Sequence, residues 1–360
     1  MNSFQIADRP IGPGHPVYLI AEISANHNQN FDEAVKLVRA AKEIGADAVK
    51  LQTYTADTLT IRCDRPEFRV GGGTLWDGRT LHDLYGEAHT PWDWQPRLKQ
   101  VADEIGIHLF STPFDPTAVD FLEAMNVPVF KVASFEVIDL PLIDRIARTG
   151  KPIIMSTGMA SLEEIDEAVA TVRRHHSGLV LLKCTSAYPA RPDDANLRTI
   201  ADLSRRFGVP AGLSDHTMGI AVPVAAVALG ACAIEKHLTW SRSTPGPDSA
   251  FSLEVDEFRA MIEAVRIAEQ ALGEVRYGSG AQETASRAFR RSLFVVADVQ
   301  AGEPFTEANV RSIRPGHGLP PKHMPQVLGR VARCDVSRGT PLDWELIDDE
   351  AGESSLSKAS

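Results

Sequence analysis

The 360-residue sequence predicts a (β/α)8 barrel followed by a small β-rich domain. Three observations predict it. Short apolar runs alternate eight times with longer amphipathic ones over about 260 residues, the size of one such barrel. Each apolar run carries hydrogen-bonding or charged residues at its end. After Gly273 the alternation stops, and short β-like runs separated by Gly and Pro take over.

The first strand is "VYLIAEIS" (17–24), followed by the helical pattern "FDEAVKLVRAAKEIG" (31–45) with its Gly stop. "AVKLQTY" (48–54) is the second strand and leads into a long excursion containing "GGGTLW" (71–76). The helix "PWDWQPRLKQVADEIG" (91–106) and strand "IHLFSTP" (107–113) come next, then helix 116–126 and strand "VFKVAS" (129–134). Helix 140–150 leads to "PIIMSTG" (152–158), and helix 161–176 to "LVLLKCT" (179–185). Helix 197–208 leads to "VPAGLSDH" (209–216), and helix 221–230 to "CAIEKH" (232–237). The final barrel helix spans 255–273. Residues 1–273 thus form the barrel, 274–288 a polar linker, 289–348 the small domain and 349–360 a disordered tail.

A doubly wound open sheet has the same strand count. The polar strand ends favour the barrel: Glu22 and Ser24, Lys50 and Gln52, Ser111 and Thr112, Lys131 and Ser134 stand at the ends of the first four strands. Ser156 and Thr157, Lys183 and Thr185, Asp215 and His216, and Glu235 to His237 end the other four. In a barrel all eight ends converge on one face, where active sites lie.

Composition narrows the function. A formal net charge of -11 with mixed signs argues against a nucleic-acid or anionic-membrane surface. No apolar run approaches the roughly 20 residues of a membrane span. The start, "MNSFQIADRPIG", lacks a secretion-signal pattern. Four scattered cysteines, Cys63, Cys184, Cys232 and Cys334, read as reduced thiols of a cytoplasmic protein.

His216 and His237 end the seventh and eighth strands, which are neighbours in a barrel and so about 4.8 Å apart. The spacing admits two readings, a shared divalent metal (Mn²⁺, Co²⁺, Fe²⁺ or Zn²⁺) or two unrelated half-buried histidines. On the metal reading, Asp215 and Glu235 would support the ligands from behind. Lys50, Lys131 and Lys183 near strand ends, with Thr112, Ser134, Ser156 and Ser214, suit an anion such as phosphate or carboxylate. A salt bridge to Glu22 is the alternative. Glu22, inside "LIAEIS", and Glu136 are the candidate acid/base groups. Arg314, in "RSIRPGHG", acts only if the small domain covers a barrel mouth.

The segments "AEISANHNQNFDEAVKLVRAAKEIGADAVKLQTY", "STPFD", "KVASFE", "STGMAS", "KCTSAYP", "GLSDHT", "IEKHLT" and "GPDSAFSLE" resemble the sialic acid synthase family. The tail domain, with "RRSLFVV" and "IRPGHG", resembles that family's antifreeze-like (SAF) domain. The resemblance spans about residues 15–348. It implies a metal-dependent transferase that condenses phosphoenolpyruvate with an open-chain amino sugar aldehyde and water, releasing phosphate. It also implies a domain-swapped homodimer in which each small domain covers the partner's barrel. His216 and His237 match the metal ligands, the metal being Mn²⁺ or Mg²⁺, with Co²⁺ a further candidate. Lys50, Thr112, Lys131, Ser134, Ser156 and Ser214 match the phosphoenolpyruvate site. Glu22 and Glu136 match carboxylates near the reacting carbons, in interchangeable roles. Gln52, Tyr188 and Asp248 match sugar contacts, and Arg314 the arginine that reaches an N-acyl group of the sugar.

Three features set this sequence apart within the family. Phe135 stands where glycine is common, Ser186 where asparagine is common, and a long loop surrounds Trp76. Phe135 puts bulk near the sugar, which suits a 6-deoxy, more apolar substrate. A metal-dependent pyruvate aldolase and a carbohydrate-binding module on an inert barrel are the competing classes.

Overall fold

The computed structural model describes residues 4–175, 178–244, 246–278 and 280–348. Within them the chain divides into two compact units at Gly273 and Glu274. In the first unit eight parallel strands close on themselves. They are β3 (Tyr18–Glu22), β4 (Ala48–Thr53), β5 (His108–Pro113), β6 (Phe130–Val132), β7 (Ile153–Ser156), β8 (Leu179–Cys184), β9 (Ala211–Asp215) and β10 (Ala233–Thr239). β10 pairs with both β9 and β3, which shuts the barrel and rules out an open sheet.

Local chemistry sets the surrounding helices. Asn30 caps Phe31–Glu43 by accepting from the Asp32 and Glu33 amides, and Ala34, Leu37, Val38 and Ala41 turn one buried stripe to the barrel. Ser161 and Glu164 form a capping box at the start of Leu162–Arg173. Gly106 and Gly208 end their helices in the left-handed conformation.

Two strands precede the barrel that the apolar pattern did not predict. β1 (Phe4–Ile6) and β2 (Arg9–Ile11) form an antiparallel hairpin. Its Ile6 and Ile11 pack with Tyr18, Ile20, Phe110 and Phe130, closing the end of the barrel opposite the polar strand ends. Three-residue strands are too short to show a period of two.

The excursion after β4 is also more ordered than its composition suggests, holding helices Ala56–Leu59 and Leu81–Ala88. Side chains tie it to the barrel. Trp76 Nε1 donates to the Pro247 carbonyl at 2.9 Å, Gln29 Nε2 donates to the Glu87 carbonyl at 2.8 Å, and His27 Nε2 meets Thr90 Oγ1 at 3.1 Å.

In the second unit β12 (Ser292–Val295) pairs antiparallel with β13 (Val310–Ile313), after β11 (Leu253–Glu254) has joined β10 at the barrel. Isolated bridges such as Val299 to Val336 and Pro304 to Val331 extend this β character. Its own core gathers Leu293, Val295, Phe305, Val310 and Leu342. Residues of the expected linker form a helical turn, Ala281–Thr284, where Glu283 accepts from the Gly280 amide. The expected disordered tail, 349–360, lies outside the described residues.

His27 is fully buried, and that burial, with the His89 imidazole nearby, lowers its pKa to about 4. An unfolded imidazole takes up its proton near pH 6.5, so the unfolded state binds more protons between about pH 4 and 6.5. Stability should therefore be full above that window and fall as pH drops through it, by up to about 1.4 kcal/mol per pH unit. Urea denaturation across the window, with His27→Gln flattening the slope by about one proton, checks this.

Candidate active site

Glu22 sits in register with Lys50 on one side and His237 on the other, so three chemically distinct groups share one level of the barrel. Alternation along β10 sends Glu235 and His237 to the same inner face and Lys236 to the outer one. The same rule on β9 sends Ser214 inward and Asp215 outward.

The inner face holds a dry cluster of charge. Lys50 Nζ forms an ion pair with Glu22 Oε2 and stands 3.6 Å from Glu235 Oε1 and 3.4 Å from Thr112 Oγ1. Lys131 Nζ donates to Ser156 Oγ at 2.7 Å and lies 3.8 Å from the same Glu235 oxygen. Ser214 Oγ donates to that oxygen at 3.3 Å, and Gln52 Nε2 donates to Glu22 at 3.2 Å. Glu235 thus neutralises the two lysines rather than supporting a histidine, which corrects the expectation from its neighbours in sequence. Its place two residues before His237 in a strand could have shown that it faces inward.

Burial raises the Glu22 carboxyl above its usual range, against Lys50 and with Glu235 adding to it. For Glu235 burial also pulls upward, but Lys131 and Lys50 together hold its pKa below the usual value. Burial lowers Lys131, partly countered by Glu235. Glu136, in the short helix Ser134–Glu136, is raised by burial to about 7, with Lys131 opposing.

Ser134 Oγ accepts from the Gly158 amide at 3.0 Å. A Cβ at Gly158 would fall 2.8 Å from that oxygen and closer still to Ser186 Oγ. Gly158 and Ser186 therefore belong to the hydroxyl-rich rim with Ser134, and the sequence alone had not assigned either. Lys183 does not join the cradle. It donates to the Cys184 carbonyl at 2.7 Å and to Thr185 Oγ1 at 3.3 Å, on the side of β8 opposite Cys184.

The two imidazoles stand with ring centres 5.4 Å apart. His216 Nδ1 donates to the Thr185 carbonyl at 2.9 Å, which leaves the lone pair on Nε2. His237 is buried, and burial together with His216 keeps its pKa well below the usual value. Its Nδ1 has no hydrogen-bond partner among the described residues. Two imidazoles bound at about 2.1 Å to one ion at tetrahedral or octahedral angles would have ring centres about 4.6 to 5.3 Å apart. At 5.4 Å the pair stands about 0.1 Å beyond that range, so a slight side-chain shift would let both rings hold one divalent ion, and no third His, Cys, Asp or Glu joins them among the described residues. Remaining coordination positions would be left to water or substrate. Asp215, expected behind His216, instead accepts from Thr217 and pairs with Lys236.

Aromatic side chains wall the histidines. Tyr188 lies 4.4 Å from His216 and Phe251 4.9 Å from His237, and Trp76 from the excursion meets Tyr188 at 5.7 Å between ring centres. Phe251 was not foreseen, because a lone Phe in a three-residue helical turn, Ser249–Phe251, gives no periodic signal. Asp248 accepts from Ser24 Oγ, and burial raises its carboxyl. Phe135 is exposed, as is Arg314 in the second unit.

Residues 37–277 match the NeuB family and residues 290–348 the SAF domain. The chain is 43% identical to the pseudaminic acid synthase of Helicobacter pylori, covering 92% of this chain and 98% of that protein. It is 44% identical to the pseudaminic acid synthase of Campylobacter jejuni, covering 91% and 95%. A solved N-acetylneuraminic acid synthetase from Leptospira borgpetersenii, in complex with citrate, superposes with a TM-score of 0.71 at 30% identity, covering 79% of this chain and 95% of that one.

Lys50→Met should leave Glu22 and Glu235 facing each other without their shared cation. The variant is expected to lose about 3 kcal/mol of stability near pH 8. It should regain part of this toward pH 6, because carboxyls whose folded pKa is raised destabilise the fold most when ionised. Urea denaturation at both pH values measures the effect, and a loss independent of pH would contradict the charge cluster.

Proposed function

The chain belongs to the NeuB family, and on that premise we propose that it acts as a pseudaminic acid synthase. It joins phosphoenolpyruvate, 2,4-diacetamido-2,4,6-trideoxy-L-altrose and water into pseudaminate and phosphate. A C–C bond forms between C3 of phosphoenolpyruvate and the aldehyde carbon. Water adds at C2, and the C2–O bond to phosphate breaks. The observation that carries the reading is a buried two-lysine cradle beside two metal-competent imidazoles, in a chain 43% identical to one pseudaminic acid synthase and 44% to another.

Lys50 and Lys131, with the hydroxyls of Thr112, Ser134, Ser156 and Ser214, are assigned to the phosphate and carboxylate of phosphoenolpyruvate. Charge-assisted bonds of this kind are strongest where water is excluded. Glu22 is assigned to orienting the water that attacks C2. Glu136, its pKa near 7, is assigned to moving a proton at the sugar or phosphate. Gln52, Tyr188 and Asp248 take the sugar, and the exposed Phe135 suits its deoxygenated end. Arg314 is assigned to an N-acyl group of the sugar, reached from the partner's small domain in a domain-swapped homodimer.

Enzymes of this family are metal-dependent. His216 and His237 would hold Mn²⁺ or Mg²⁺, with Co²⁺ as a substitute, and the bound ion would polarise the aldehyde oxygen as a Lewis acid. No helix among the described residues is long and apolar enough to cross a membrane. Four unpaired cysteines and the use of phosphoenolpyruvate support a cytoplasmic setting.

Phosphate release should depend on phosphoenolpyruvate together with the diacetamido-trideoxy altrose. A clear preference for N-acetylmannosamine or for the legionaminate precursor would overturn the choice of sugar. Release from phosphoenolpyruvate without any sugar dependence would overturn the reaction. Lys131→Ala is expected to lower kcat/KM for phosphoenolpyruvate about 100-fold, the loss of one buried charged hydrogen bond. Chelation should stop turnover and added Mn²⁺ restore it, measured in the same assay.

A further inference from the structure

One fully buried ion pair stands outside the reactive face. Lys236 and Asp215 are 1% and 3% exposed and pair in register across β10 and β9. Each immediately precedes one of the two histidines. Asp215 Oδ1 also accepts from the Thr217 amide at 3.0 Å and from Thr217 Oγ1 at 2.9 Å, closing a turn around His216. Lys236 Nζ reaches the Thr217 carbonyl as well. Asp215 and Thr217, one residue on either side of His216, are therefore both bound to the lysine next to His237.

This arrangement matters because β9 ends at Asp215, and the recorded β9–β10 ladder stops at the Asp215–Lys236 pair. His216 lies just past it, held by its carbonyl to the Ala190 amide and by Nδ1 to Thr185. Neither bond ties it to the strand that carries His237. A buried ion pair is a costly way to gain stability, since apolar side chains of similar volume do as well or better. In some proteins such a pair instead serves to specify one geometry.

We propose that Asp215, Lys236 and Thr217 are positioning residues. They fix the spacing of His216 and His237 and so set the affinity of that pair for its divalent ion. The proposal rests on the reading of the two histidines as metal ligands. Asp215 and Lys236 face the outer side of their strands, away from His237 and Glu235.

The test is Mn²⁺ titration followed by electron paramagnetic resonance of the free ion, on the full chain without substrates. Wild type should bind one Mn²⁺, and His216→Ala should lose it. If wild type binds none, or His216→Ala binds equally well, the two-histidine reading fails and the clamp with it. The informative variant is Asp215→Asn/Lys236→Met. It keeps an acceptor for Thr217, leaves no unpaired charge and removes the link between strands. With circular dichroism confirming a folded protein, its Kd for Mn²⁺ should rise about 10- to 100-fold. A Kd within about twofold of wild type, with His216→Ala still inactive in binding, overturns the clamp and leaves the metal site standing. If the double variant does not fold, Thr217→Val replaces it. A Kd raised about threefold supports the clamp, and an unchanged Kd overturns it.

Discussion

A charge inside a protein must be met by another charge or by hydrogen bonds. In this barrel that rule is satisfied by four groups acting together: Lys50 between Glu22 and Glu235, and Lys131 sharing Glu235. Barrel closure is what makes the sharing possible. Glu22 on β3 and Glu235 on β10 lie on strands joined only because β10 pairs back to β3. The cluster therefore depends on the closed sheet, and the chemistry of the mouth depends on the cluster.

The balance inside it also shapes what the mouth can accept. Two ammonium groups face two carboxylates of unequal character, one raised by burial and one held down by both lysines. An anion bound at the lysines would compete with these carboxylates, so its binding and the protonation of Glu22 would be linked. Next to this polar region stands an aromatic one. Tyr188 and Phe251 pack on the histidines, and Trp76 packs on Tyr188 behind them.

Much of the site was legible from strand ends. Glu22, Lys50, Lys131, Ser156, Ser214, His216 and His237 are polar residues closing apolar β runs, and the barrel brings strand ends together. Glu235 was legible in principle, by counting two back from His237, yet its neighbours in sequence drew attention to the wrong partner. Lys183 was misread for the complementary reason, because alternation along β8 puts it on the other side of the strand from Cys184. The N-terminal hairpin and Phe251 had no readable signal. Three-residue strands and lone aromatics carry no period.

The sequence by itself determined the strand–helix alternation, the barrel, the change of character after Gly273 and most of the polar groups at the mouth. It does so because apolar periodicity and strand-end polarity are local properties of the chain. Only the tertiary structure decided which carboxylate meets which lysine, and that the Thr185 carbonyl sets the tautomer of His216. It alone revealed Asp215 bound to Lys236 rather than to the adjacent histidine. These partners lie 21 or more residues apart along the chain. Their contacts follow from register and barrel closure, which no local pattern of residues records.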